Sequence, residues 1–242
     1  MSSRLQDNLF TGPIGAEYDM LRLMCPNHAY LAKRVGETVG AWRPEAGALT
    51  GFEIGCGTGV CTLALLAGRD DLKLIAVDSA ARMLEQAREN LAGYVAAGRV
   101  EFKEADALSA LQALPDASVD VVASNYAIHN FLDDYRDDVL AEIFRVLKSG
   151  GLFINGDRYA MDDRAAHLAD TQTMVRRWFK MFREMNRLDL LEDWVVHLYS
   201  DESPDHIMYY EPSLKKLAAL GFAPVTVDFR DGVDTLLRAV KP

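Results

Sequence analysis

Glu53, Gly55, Gly57 and Gly59 stand at alternate positions where an apolar run ends and a helical pattern begins. Three alternating glycines let a backbone turn tightly and leave room for a ligand against the main chain. The helix that follows offers free amide donors and the positive end of its dipole. Such a loop serves a nucleotide-like ligand. The dinucleotide fingerprint needs glycines at its first, third and sixth positions, and the sixth here is Val60, which argues against NAD. Asp78 closes the next apolar run, Lys73–Asp78. A carboxylate there can accept hydrogen bonds from both ribose hydroxyls, each worth about 1.5–3 kcal/mol. The competing role for Asp78 is to cap, with Ser79, the helix that follows.

A second set of reactive groups lies further along. His129 is the one histidine between residues 50 and 157, in the segment Ser124–Phe131. Imidazole, with an ordinary pKa near 6.5, suits proton removal from an attacking N, O or S nucleophile. Hydrogen bonding to a substrate and plain packing compete with that role. Asp157, Arg158 and Tyr159 end another apolar run, where they could hold a polar substrate group or form a salt-bridged loop. Cys25, Cys56 and Cys61 make no metal-ligand pattern, so no metal is expected.

The elements that must position these groups follow from periodicity. Strands alternate with helical stretches over residues 48–157, which predicts an α/β fold with a parallel sheet and helices on both faces. Residues 79–97 carry one helical stripe (Met83, Leu84, Ala87, Leu91), and residues 134–148 carry another. Residues 222–230 and 233–240, split by Asp231 and Gly232, read as two strands joined tightly. A single domain, 1–242, is expected. Within it, an N-terminal segment, 1–45, includes a helix around Tyr30–Trp42. An insertion, 158–212, is too long for a structureless loop. Its apolar positions, Trp178 among them, suggest a helical cap over the carboxyl ends of the strands, where open sheets bind ligands. These side chains either pack the cap or line an apolar substrate chamber.

The spacing E-x-G-x-G-x-G over Glu53–Gly59 resembles the first motif of class I S-adenosylmethionine (SAM)-dependent methyltransferases. The order of the later segments is similar to that family too: Asp78, Met83, Glu104-Ala105-Asp106-Ala107, Val119–Asn125 and Leu147–Leu152. The resemblance implies a doubly wound, Rossmann-like, seven-stranded, mostly parallel sheet with SAM as cofactor. It implies that Glu53 helps hold the methionine amino group and that Gly55, Gly57 and Gly59 pass under the cofactor. Asp78 would take the ribose, Met83 would lie near adenine, and Asp106 with Ala107 would face the adenine amino group. Asn125 would lie close to the methionine moiety. Tyr18 resembles the N-terminal aromatic that folds over the sulfonium in many small-molecule methyltransferases, a cation–π contact, with loop packing as the alternative. The activity implied is methyl transfer to a small molecule, with His129, Asn125 and Tyr18 nearest the chemistry and Asp157, Arg158, Tyr159 and Trp178 nearest the acceptor.

Asp7–Ile14 also looks like the N-terminal signature of carboxy-SAM synthases, which modify SAM itself. This chain departs from that family at Val195-Val196-His197-Leu198, where a basic residue would be sought, and it lacks an Arg-Ser-x-Pro segment near its start. Two rivals to methyl transfer follow: an enzyme that carboxylates or cyclises SAM, and a non-catalytic SAM-binding partner.

Composition narrows the class of partner. Among 242 residues, 26 Lys and Arg face 36 Asp and Glu, a formal charge of −10, which disfavours nucleic acid. Met1–Asp7 lacks the apolar core of a signal peptide and no apolar run approaches 18 residues, so a cytoplasmic protein that does not span a membrane is expected. A homodimer is left open.

Overall fold

The computed structural model describes residues 24–42 and 47–242. Helix α1 (Asn27–Ala41) precedes β1 (Thr50–Ile54), α2 (Val60–Gly68), β2 (Lys73–Asp78), α3 (Ala81–Asn90), the short α4 (Ala92–Ala96) and β3 (Val100–Glu104). Then come α5 (Ala107–Gln112), β4 (Val119–Asn125), a single turn (Ile128–Asn130), α6 (Asp133–Val146) and β5 (Leu147–Arg158). Helices α7 (Arg164–Glu184), α8 (Leu188–Asp201) and α9 (Tyr210–Ala219) lead to β6 (Val225–Asp231) and β7 (Asp234–Val240).

The seven strands form one sheet in the order β3-β2-β1-β4-β5-β7-β6. The first five are parallel, whereas β7 runs antiparallel to β5 and to β6. Chain order reverses between β1 and β4, the switch point at which open α/β sheets bind ligands. These two central strands are buried on both faces over most of their length, with Phe52, Ile54, Val121, Val122 and Ala123 in the two cores and Glu53 and Ser124 buried among them.

Each sheet face has its own core. On one, Leu31 and Val35 of α1, Leu65 and Leu66 of α2 and Leu84 of α3 cover the strands. On the other, Leu111 of α5, Val139 and Ile143 of α6 and Leu217 of α9 do so. Helix α1 lies on α2 almost backbone to backbone, because Gly36 and Gly40 face Ala64 and Gly68; a Cβ on Gly36 would stand 2.2 Å from the Ala64 carbonyl oxygen.

The helical stripe expected as one element over 79–97 breaks at Leu91 into α3 and α4, and the N-terminal helix starts at Asn27, earlier than its apolar pattern suggested. The inserted segment is helical, as α7 and α8, with a core of its own: Trp178 and Phe182 of α7 pack on Leu190, Leu191, Trp194 and Leu198 of α8 and on Met24. Its two ends meet, since Ala160 N donates to Met208 O at 2.8 Å and Tyr210 N donates to Ala160 O at 3.1 Å. Among the described residues no helix is long and apolar enough to cross a membrane, and no group of three or more His, Cys, Asp or Glu is placed to hold a metal ion.

Candidate functional site

The cleft opens at the carboxyl ends of β1, β2 and β4. Its floor is the glycine loop: Gly55 and Gly57 line it with left-handed φ of 66° and 52°, conformations that favour glycine. Asp78 lines the same cleft and ties two elements together. Its Oδ2 accepts from Gly57 N at 2.8 Å and its Oδ1 from Ala80 N at 2.9 Å. Burial pushes its pKa up, against the backbone hydrogen bonds from Ala80, Gly57 and Ser79. Each carboxylate oxygen has a second acceptor site, so the capping role and a contact to a ribose diol are compatible.

Met83, Asp106 and Ala107 line the cleft wall opposite. Asp106 caps α5 by accepting from Ser109 N at 2.9 Å, and Tyr135 donates to it at 3.1 Å. Burial pushes the Asp106 pKa up, but the bonds from Ser109 and Tyr135 outweigh it and hold it below the usual value. The far wall is Tyr126, Ala127, Asn130 and Phe131. Tyr126 takes a φ of 54° and donates its hydroxyl to Asp234 at 2.5 Å, which pins the segment after β4 to the start of β7. Asn130 Oδ1 is buried without a hydrogen-bond partner.

Three residues expected at the cofactor stand elsewhere. Glu53 is fully buried beneath the loop and does not line the cleft: Thr62 donates to its Oε2 at 2.6 Å. Burial pushes its pKa up to about 7, against the Thr62 and Cys61 hydrogen bonds. Gly59 (φ 92°) starts α2 and faces α3, where a Cβ would lie 2.8 Å from Leu91 Cδ1. Asn125 points away from the cleft to α1, donating to His28 O at 3.3 Å. One residue of strand alternation accounts for it: the cleft side after β4 belongs to Tyr126 and Ala127. Tyr18 lies outside the described residues, as do residues 7–14.

The second group sits beside the cleft, under the cap. His129 is buried, and its Nδ1 lies 2.6 Å from Asp157 Oδ1. Asp157 has no exposed surface; its Oδ2 also accepts from Ile128 N at 3.0 Å and His129 N at 3.2 Å. It therefore holds the segment that carries His129 and does not face the cleft as a substrate ligand. With Nδ1 against a carboxylate, the tautomer inferred is Nδ1–H, which leaves Nε2 as the acceptor. Nε2 lies 4.0 Å from Asp201 Oδ2 of α8, which is 3.6 Å from His197 Nε2 and 3.5 Å from Arg158 Nη1. Arg158 also lies 3.6 Å from Glu202, whose other oxygen is 2.7 Å from His167 Nε2. Asp201 Oδ1 is buried with no partner. Burial lowers the His197 pKa, against the Asp201 charge.

A small cavity is lined by His129, Arg158, Asp201 and Glu202 and closed by Ile207 and Met208. Tyr159 is not part of it; its side chain sits on the α6–α9 side of the sheet and accepts from Asn155 at 2.8 Å. Trp178 is 2% exposed and belongs to the α7–α8 core, 6.5 Å from the Trp194 ring, so it packs the cap and lines no cavity named here.

Four residues carry the site without a sequence signal strong enough to find them. Arg136 donates to the carbonyls of Ile128, His129, Phe131 and His206 and to Asp133, clamping the turn after β4. Tyr126, Asn130 and Asp201 are the others. For Asp201 the spacing His197-x3-Asp201 places both on one helical face, a pattern that could have pointed to it.

Residues 52–151 match the model of a family described as a methyltransferase domain. The chain is 24% identical over 240 residues to a carboxy-S-adenosyl-L-methionine synthase of Photobacterium profundum, with 93% of each covered. It is 28% identical over 203 residues to a synthase of the same name from Shewanella amazonensis, covering 77% of this chain and 79% of that one. An O-methyltransferase family protein from Burkholderia thailandensis shares the fold with a TM-score of 0.66 at 18% identity, over 98% of this chain and 62% of that one, so this chain spans less than two thirds of that protein. The chain thus has the class I SAM-dependent methyltransferase fold, with a distant likeness to carboxy-SAM synthases and with SAM as cofactor or substrate.

Proposed function

We propose that this protein transfers a methyl group from SAM to a small acceptor that bears a removable proton on N, O or S. The observation that carries this reading is the His129–Asp157 pair at 2.6 Å, buried beside the cleft with Nε2 turned towards an acidic cavity. SAM, when bound, supplies a methyl carbon already activated by a sulfonium. Gly55, Gly57, Asp78, Met83, Asp106 and Ala107 fit its nucleoside, with open acceptor sites on Asp78 for the ribose. Asn130 Oδ1, buried at the far wall without a partner, awaits a donor. The acceptor's lone pair forms the new bond to carbon as the carbon–sulfur bond breaks and its electron pair passes to sulfur; the acceptor's proton goes to His129 Nε2. Asp157 fixes the ring and stabilises the imidazolium.

The cavity also speaks to the acceptor's charge. Asp201 and Glu202 line it with a single guanidinium, Arg158, which they already match at 3.5 and 3.6 Å. A neutral or cationic acceptor suits this balance.

The names of the curated relatives favour a second reading, in which SAM is itself the substrate and gains a carboxylate. That reading needs a free positive charge near the sulfonium. Arg158 is engaged by two acids and Arg136 by four carbonyls and Asp133, which weighs against it.

The fate of SAM tests both. Mass spectrometry should find S-adenosylhomocysteine only when an acceptor is added. A heavier sulfonium or methylthioadenosine formed at enzyme-dependent rates would replace methyl transfer with the SAM-modifying reading. SAM returned unchanged across an acceptor panel would leave a SAM-binding partner.

A further inference from the structure

On the face of the sheet covered by α6 and α9 lies a second cavity, which shares no residue with the cofactor cleft. Its apolar walls include Ile128, Phe153 and Leu217, and its floor is Asn155 and Tyr159. Asn155 has no exposed surface and Tyr159 is 2% exposed. The Asn155 Nδ2 amide donates to Tyr159 Oη at 2.8 Å and to Asp157 Oδ2 at 3.3 Å, so both of its protons are used. Its Oδ1 is buried with no hydrogen-bond partner. The Tyr159 hydroxyl accepts from Asn155, which leaves its own proton to donate. Burial, and next the Asp157 charge, push its pKa up, so the hydroxyl keeps that proton. An unpartnered acceptor and an unused donor therefore belong to two neighbouring residues of this cavity's lining, beside its apolar walls. The charged residues at the rim are matched: Arg136 with Asp133 at 2.8 Å, and Lys216 with Asp137 at 2.6 Å.

We propose that this cavity is a second ligand site, taking a small uncharged aromatic molecule with an amide edge, whose N–H meets Asn155 Oδ1 and whose carbonyl meets Tyr159 Oη. A bare hydrocarbon would leave both protein groups unmatched, and a charged ligand would find no free counter-ion. Occupancy reaches the His129–Asp157 pair through one shared group, because the Asn155 amide that holds Tyr159 also holds Asp157. The site is therefore placed to act as an effector site for the chemistry next door.

Benzamide is the probe. Isotope-labelled full-length protein, saturated with S-adenosylhomocysteine to keep the cleft filled, is titrated with benzamide and followed by NMR. Saturable shifts are expected at the amides of Ile128, Phe153 and Leu217, at the Asn155 side-chain amide and at the His129 ring. Tyr159→Phe should weaken benzamide by about tenfold, the loss of one buried hydrogen bond, and ethylbenzene should bind about tenfold more weakly than benzamide. Ser213→Leu, which narrows the same cavity from α9, should weaken binding as well and serves if Tyr159→Phe does not fold. The proposal is overturned if benzamide gives no shifts up to its solubility limit, if it binds only when the cleft is empty, or if neither variant alters its affinity. The readout is binding, so its failure says nothing about methyl transfer.

Discussion

His129 owes its place to Asp157, and the two are 28 residues apart in the chain. If the ring removes the acceptor's proton, His129→Gln should lower kcat by roughly 10²–10⁴-fold while leaving the Kd for SAM little changed; calorimetry beside steady-state rates separates the two. An unchanged rate would leave alignment as the main catalytic device. Asp78→Ala should weaken SAM by roughly 2–4 kcal/mol, since it removes a charged ribose acceptor and the brace on Gly57 N and Ala80 N. Asp78→Asn, which keeps one acceptor oxygen, should lose less. Glu53 makes a prediction about pH. Its folded pKa, about 7, lies above the ordinary 4.5. Its contribution to stability is therefore fully present below pH 4.5 and is lost as pH rises through 7, because the unfolded chain ionises first. Urea unfolding of the ligand-free protein should show this fall between pH 4.5 and 7, on the order of 3 kcal/mol. In Glu53→Gln the fall should be clearly shallower; an equally steep profile in that variant would assign it to other groups.

At the scale of elements, α1 fits on α2 backbone to backbone, a contact that no apolar pattern announces. Gly36→Ala would drive a methyl into the Ala64 carbonyl, which neither helix backbone can yield cheaply. A loss of about 1–3 kcal/mol is expected, or about 2–4 °C in Tm for each kcal/mol, by thermal unfolding. The central strands were legible because Val, Ile, Ala and Phe dominate them, as in β2 and β4. The antiparallel close of the sheet was legible because Asp231 and Gly232 punctuate it. Gly55, Gly57, Asp78, Met83, Asp106 and Ala107 line one cleft because each lies at or shortly after the end of β1, β2 or β3. Side-chain direction at the end of β4 was not legible, since Asn125 and Tyr126 differ by one step of alternation and only the pinning of Tyr126 by Asp234 decides it. At Asp157 and Tyr159 the sequence leaves a substrate contact and a salt-bridged loop open, and the fold turns one inward to His129 and the other onto Asn155. No local pattern records such pairings across strands. Trp178 was ambiguous for a plain reason: an aromatic on an amphipathic helix serves a cap's core and a chamber wall equally well.

At the scale of the molecule, the charge of −10 and the acidic cavity under the cap act together. A protein with this field concentrates cations at its surface, and salt screens the effect. With a cationic amine as acceptor, raising ionic strength should increase KM by roughly two- to fourfold, with kcat steady. For an anionic acceptor KM should fall instead. Insensitivity in both cases would mean that the acidic groups of the cavity are matched internally and select nothing. The fold divides the two regions: the cleft is lined from the ends of β1 to β4, and Asp201 of α8 stands 4.0 Å from His129 Nε2.

The meeting of Ala160 with Met208 and Tyr210 has a consequence of another kind. A stretch of chain that leaves and re-enters a fold through neighbouring backbone atoms is a cassette. It can be exchanged, lengthened or lost with only a short splice to close the gap, while the sheet beneath keeps its register. Residues 161–208 supply Asp201, Glu202 and His167 to the cavity beside His129 and nothing to the lining of the cleft, so a change confined to this span alters the one and spares the other. Grafting that span between distant relatives would be the direct way to trade one such cavity for another.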